Sequence, residues 1–176
     1  MEKFFNILFY IVVSLLIANI DVIFGLDYSL IGDRVNYINH VRDPLKNSYD
    51  SIFSFFNYEY LWFQFLNIIK FLTFSNKENF VLRVVTFISS LIFLNAFKKR
   101  TNSALLPLFI ILMPGVFDFY VVKLRHGFAL AIFAYLSNLR LLKFRNLYYL
   151  PVTMIHSSFL LTIPIYIFGL RLKKFN

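Results

Sequence analysis

The chain contains no cysteine, so it has no disulfide framework, no thiolate metal site and no thiol nucleophile. Histidine occurs three times, at His40, His126 and His156, too scattered along the chain to predict a metal cluster, and we expect neither metal nor cofactor. Acidic residues are scarce: nine Asp and Glu stand against eighteen Lys and Arg, a net charge of +9. An excess of that size raises nucleic acid as a partner. The bases, however, sit in short clusters between apolar runs rather than along one face, which argues against nucleic acid. Clusters of that kind orient helices in a bilayer.

Apolar residues are what the chain has in quantity. Hydrophobic residues make up 59% and aromatics 20% of 176 positions, and the mean hydropathy is +0.68. A soluble core of this size cannot hide so much apolar surface, so the composition predicts an integral membrane protein of the all-α class. The Met-Glu-Lys start ahead of an apolar run mimics a secretion signal, but no small-residue cleavage pattern follows it. We therefore expect a retained first span.

A hydrocarbon core about 30 Å thick needs about 20 apolar residues per helix. Measured that way, the sequence predicts a polytopic bundle of about five spans in a single membrane domain, at 4–25, 79–97, 104–122, 126–142 and 147–170. The last is interrupted by Pro151 and Pro164. A polar external loop is expected at 27–51. The Phe-rich run 52–74 carries Asn57, Glu59, Gln64, Asn67 and Lys70, too many polar groups for a lipid-facing span. An amphipathic interfacial helix is expected there.

The basic clusters set the orientation. Lys98-Lys99-Arg100 and Arg140, Lys143 and Arg145 are expected to be cytoplasmic, which places the 27–51 loop outside. Its four Asp against three Lys and Arg agree. The same choice puts Lys123, Arg125 and His126 at the outer face, against the charge rule, so this cluster calls for a reason other than topology. The end of the chain leaves two topologies open: 147–170 either crosses once or dips and returns.

Four stretches together resemble a known family. "GDRVNYINHV" (Gly32 to Val41), "NYEYLWFQFLNII" (Asn57 to Ile69), "KLRHGFALAIFAYL" (Lys123 to Leu136) and "MIHSSFLL" (Met154 to Leu161) are similar, in order and spacing, to motifs of the EpsG-like, Wzy-related bacterial polysaccharide polymerases. Glu59 and Asn67 fall at matching places in the second motif, Arg125 in the third and His156 in the fourth. Arg34 stands where the family has Tyr, Tyr60-Leu61 where it has Pro-Gly, and His126 where it has Gln. The likeness covers the amino-terminal half of the family's architecture.

The resemblance implies a multi-pass protein of the bacterial cytoplasmic membrane. It would join undecaprenyl-diphosphate-linked glycan repeats at the outer face, with other polysaccharide assembly proteins as possible partners. Such a transfer needs cations where the diphosphate leaving group gains charge. The planar fork of Arg matches phosphate oxygens, which makes Arg125 the candidate clamp, with Lys123 and His126 beside it. His156, Glu59 and Asp33 are candidates for proton transfer or for binding a sugar hydroxyl. Tyr37 and Asn67 are candidate substrate contacts.

Each assignment has a plainer alternative. Arg125 and Lys123 at a helix end also read as snorkelling anchors, and Asp118, seven residues before Arg125, as its structural ion-pair partner. His156 also reads as a structural histidine, Asp33 as a solvated loop acid, and Tyr37, Tyr58, Tyr60 and Trp62 as an aromatic belt. Arg83 and Asp21 read as anchors or as an intramembrane pair. The second function class is a non-enzymatic membrane subunit whose polar residues glue helices together.

Overall fold

A computed structural model of the chain describes residues 2–27, 32–42, 59–75, 77–101, 103–138 and 149–158. Among these residues every regular element is helical: α1 (Glu2–Ala18), α2 (Ile20–Phe24), α3 (Gly32–Arg42), α4 (Tyr60–Thr73), α5 (Glu78–Thr101), α6 (Leu106–Leu112), α7 (Pro114–Val121), α8 (Leu124–Asn138) and α9 (Tyr149–Ile155).

The 24 residues of α5 contain no Pro or Gly. At about 1.5 Å each they extend roughly 36 Å. This helix is long and apolar enough to cross a membrane, and α7 with α8 qualifies as a pair bent by 109°. Among the described residues, one helix, or two if the bent pair is a single broken span, therefore meets the requirement.

α5 is the central element, packed mainly against α8 and α1. Its buried Thr86, Ser89 and Ser90 and the buried Ala129, Ala131 and Ala134 of α8 are all small. Small residues let backbones approach, which is how helices associate where apolar burial alone gives no advantage. Thr86 and Ser90 return their hydroxyls to Leu82 and Phe87 carbonyls, so neither is left unpaired. One end of the core joins α3, α4, α5, α8 and α9 around Tyr37, Trp62 and Leu66. The other joins α1 and α5–α8 around Tyr10, Phe93 and Tyr120. α1 buries Tyr10, Ser14, Ile17 and Ala18 on one stripe and exposes Phe4, Phe5, Leu8, Val12 and Leu16 on the rest. An apolar surface that extends beyond the buried stripe suits a lipid-facing helix.

Several expected elements differ in form. The stretch 4–25 is interrupted at Asn19 (φ −109°, ψ 18°), whose backbone and side-chain amides both donate to the Leu15 carbonyl, at 3.1 and 2.9 Å. The stretch 104–122 is two helices. Met113 is extended (φ −58°, ψ 132°), as a residue before proline prefers, and Pro114 starts α7. The expected external loop 27–51 contains a helix, α3, whose Arg34, Tyr37 and Val41 are buried. α4 buries Trp62, Phe63, Leu66 and Ile69 and leaves Ile68, Phe71 and Leu72 exposed. Residues 43–58, 139–148 and 159–176, including most of the expected span 147–170, lie outside the described residues.

Candidate functional site

The bend between α7 and α8 sets the geometry of the site. The Val122 and Lys123 amides both donate to the Asp118 carbonyl, at 2.8 and 3.0 Å, and α8 restarts at Leu124 in a new direction. The Val121 carbonyl, orphaned by the end of α7, accepts from Arg34 Nη1 at 2.9 Å. Gly127 makes the turn possible, since a Cβ there would lie 2.4 Å from the Phe119 carbonyl oxygen. The bend leaves Arg125 in the first turn of α8, facing α3 and α4.

Opposite stands Glu59, which heads α4 in a left-handed backbone conformation (φ 53°, ψ 50°). A non-glycine residue in that region costs about 1–2 kcal/mol, and such strain concentrates at functional positions. Its carbonyl starts the helix by accepting from the Trp62 amide at 2.9 Å. Its side chain leaves the helix uncapped and instead accepts from Arg125 Nη1. Only 5% of Glu59 is exposed. Burial pushes its carboxyl pKa up, with the Arg125 charge opposing the rise and the Ser157 amide giving a smaller stabilisation.

His156, at the end of α9, completes the group. Its Nδ1 lies 3.7 Å from Glu59 Oε1 and accepts from the Ser158 backbone amide at 3.2 Å. The Ser158 hydroxyl is 2.9 Å from the same nitrogen. An Nδ1 that accepts from an amide carries no proton, so the neutral ring holds its proton on Nε2 and presents a donor there. His126 packs against this ring at 3.7 Å and stacks on Phe119 at 5.4 Å. Two buried nitrogens around the pair, Arg125 Nε and His126 Nδ1, have no hydrogen-bond partner among the described residues. Unfilled buried nitrogens of this sort call for a water or a ligand.

Glu59, Arg125, His126 and His156 thus come together from three separated motif stretches. The other candidates stand differently. Lys123 pairs with Asp118 at 2.9 Å, so Asp118 serves Lys123 and not Arg125. A bent chain cannot keep the seven-residue register on which an Asp118–Arg125 pair depends. Tyr37 is fully buried, with the Arg125 guanidinium 5.4 Å from its ring centroid and Trp62 edge-on at 5.5 Å. It therefore supports Arg125 and offers no open face to a sugar, and Trp62, also fully buried, belongs to the core rather than to a surface belt. Asp33 is half-buried in the first turn of α3, close enough for its charge to act on Tyr37 and Lys123. Asn67 lies eight residues after Glu59, about 12 Å along α4, half-buried and away from the cluster.

Two contributors carried no signal in the motif reading. His40 sits one turn after Tyr37 on the same face of α3, with its ring 4.8 Å from Phe63. Burial, and then the Arg125 charge, lowers its pKa to about 4, so it is neutral at pH 7. The i, i+3 spacing of Tyr37 and His40 was the signal available. Arg34, which the resemblance marks only as a departure from Tyr, is buried and fixes the bend.

A second buried ionic group lies alongside. Asp21 accepts from Arg83 Nε at 3.2 and 3.1 Å and from Nη2 at 2.8 Å, and Arg34 Nη2 is 4.0 Å away. No family model matches the chain, and no curated protein or solved structure matches it either.

Proposed function

We propose that the protein is a multi-pass membrane glycan polymerase of the EpsG-like, Wzy-related type. It works at the outer face of a bacterial cytoplasmic membrane on oligosaccharide units carried by undecaprenyl diphosphate. One observation carries this reading: an arginine, a strained buried glutamate and two histidines converge from three motif stretches, with Glu59 lying 66 residues before Arg125 and 97 before His156. The five-span arrangement belongs to the same proposal, with α1–α2, α5, α6–α7 and α8 as four of its segments.

In this reading Arg125 and the His156 Nε2–H contact the diphosphate, where negative charge grows as the glycosidic C–O bond breaks. The acceptor hydroxyl adds to the anomeric carbon and the lipid diphosphate leaves with the bonding electrons. The hydroxyl proton passes to Glu59, whose raised pKa makes it a better base than an exposed carboxylate. The resting Glu59–Arg125 pair must then exchange: diphosphate takes Arg125 and frees the carboxylate. Lys123, held by Asp118, is a secondary cation at the rim.

The same ion pair favours a second reading, in which Arg125 is already neutralised and the cluster only joins α4, α8 and α9 in a non-enzymatic subunit. Expression in a cell lacking its own polymerase but supplied with matching lipid-linked units separates the two. A restored glycan ladder that Arg125→Lys abolishes supports the polymerase, because Lys lacks the fork. A stable membrane protein that yields no ladder supports the subunit.

A further inference from the structure

At the Lys98–Arg100 end of α5 a narrow cleft of about 60 Å³ opens between α5 and α8. Its floor is two small buried residues, Ala96 of α5 and Ala134 of α8. Its walls are apolar and half-buried: Phe97 from α5, Leu130 and Phe133 from α8. Arg100 and Ser137 stand exposed at its rim. The sequence builds this shape directly. Leu130, Phe133, Ala134 and Ser137 follow the three- and four-residue spacing of one helix face, and Ala96 and Arg100 lie one turn apart on α5. Alanines in the floor leave a trough that the larger side chains border. Asn138 ties the two helix ends together beside it, donating to the Ala96 carbonyl at 2.6 Å.

Size and lining limit what can enter. The volume is far below the roughly 300 Å³ at which pockets for whole organic ligands begin, so the cleft seats part of a chain and not a ring system. Only Arg100 and Ser137 of its lining are polar, and the Ser137 hydroxyl turns back to donate to the Ala134 carbonyl at 2.8 Å. A narrow apolar slot of this kind suits the methylenes of an acyl chain.

The charge at the rim selects the head group. Lys98 turns towards α1, with its Nζ 5.9 Å from the Tyr10 ring centroid. Lys99 and Arg100 are exposed. Among the described residues none of the three takes part in an ion pair. A guanidinium without a counter-charge above an apolar slot is complementary to a phosphate that carries a hydrocarbon chain, since its fork matches two phosphate oxygens. Free phosphate would leave the slot unfilled, and a lipid without net charge would leave Arg100 unneutralised. We infer that this cleft is a binding site for one anionic phospholipid, with its phosphate on Arg100, Lys99 beside it, and one acyl chain in the slot between Phe97, Leu130 and Phe133.

The lipid belongs to the leaflet at the Lys98–Arg100 end, which in the proposed orientation is the cytoplasmic one, where basic pockets between helices meet anionic head groups. The inference rests on α5 crossing a bilayer and on no part of the polymerase reading. Arg125 lies in the first turn of α8 and Ser137 in its last, so a lipid seated here would hold the far end of the helix that carries Arg125.

The test is electron paramagnetic resonance on the full chain reconstituted in phosphatidylcholine vesicles, with chain-labelled phosphatidylglycerol and phosphatidylcholine as probes. The immobilised fraction should favour phosphatidylglycerol about five-fold or more, the preference that one cation beside an anionic head group confers. Arg100→Gln removes about five-fold of it. Leu130→Trp, which fills the slot and keeps the charges, brings phosphatidylglycerol down to the phosphatidylcholine level. Lys98→Gln, which deletes a charge that faces α1, leaves the preference in place. Circular dichroism checks that each variant stays folded. No preference in the parent, an equal loss in Lys98→Gln, or no response to Leu130→Trp overturns the inference in favour of diffuse surface charge. Displacement of the labelled lipid by glycerol 3-phosphate also overturns it, in favour of a site for a free anion.

Discussion

The Glu59–Arg125 pair gives the sharpest quantitative expectation. Replacing Glu59 with Gln leaves the Arg125 guanidinium against the Tyr37 ring with its counter-charge gone. Removing one partner of a fully buried pair costs about 3–5 kcal/mol. Here the Arg125 side chain keeps 24% of its exposure and Glu59 only 7%, so water recovers part of the loss and about 2–3 kcal/mol is expected. Arg125→Gln should cost a similar amount, because it strands the more deeply buried carboxylate. The double variant removes both charges at once and should be less destabilised than the sum of the two by about 2 kcal/mol. Reversible unfolding of the purified chain in mixed micelles, followed by circular dichroism, measures all four species. A coupling below about 0.5 kcal/mol would mean that the two side chains do not meet, and with it the convergence of motifs at one site would fail. The same set tests the exchange step: Glu59→Gln should bind inorganic pyrophosphate more tightly than the parent, since the competing anion is gone.

Other expectations follow from individual contacts. Gly127→Ala places a methyl 2.4 Å from the Phe119 carbonyl and should cost about 1–3 kcal/mol, the range for overpacking; an unchanged melting temperature would refute the close α7–α8 approach. Asp21→Asn strands Arg83 and should cost about 3 kcal/mol, whereas Asp21→Leu with Arg83→Met should recover most of that loss, as buried pairs replaced by apolar residues do; a double variant no better than the single would refute it. His40 is held neutral by burial, with its pKa lowered to about 4 from 6.5. A depressed histidine stabilises the fold above its unfolded pKa and loses that contribution as pH falls. Stability should therefore drop between pH 6.5 and 4, and His40→Gln should flatten the drop in a thermal-melt series. For topology, a Cys at Ser48 should react with an impermeant maleimide in intact cells and one at Thr101 only after lysis; the reverse pattern would place the site on the wrong face.

Composition pointed to an all-helical chain rich in apolar surface, and every regular element among the described residues is a helix. The region of α5 was legible for the same reason, and the pairing of Asp21 with Arg83 stood among the alternatives for two charges near the ends of apolar runs. Five of the eight candidate site residues, Glu59, Arg125, His126, His156 and Tyr37, meet in space. What the sequence left open was who pairs with whom. Asp118 and Glu59 were both available to the basic cluster, and the choice depended on a 109° bend that Gly127 permits and Arg34 fixes. Spacing along one helix says nothing once the helix turns. The proton position on His156 likewise depends on the Ser158 amide, a backbone donor that no residue pattern reveals. Period and composition are local quantities readable from a string of residues. Ion-pair choice, tautomer and cleft shape are set by contacts between segments up to 97 positions apart, as Glu59 and His156 are, and these exist only once the chain has folded.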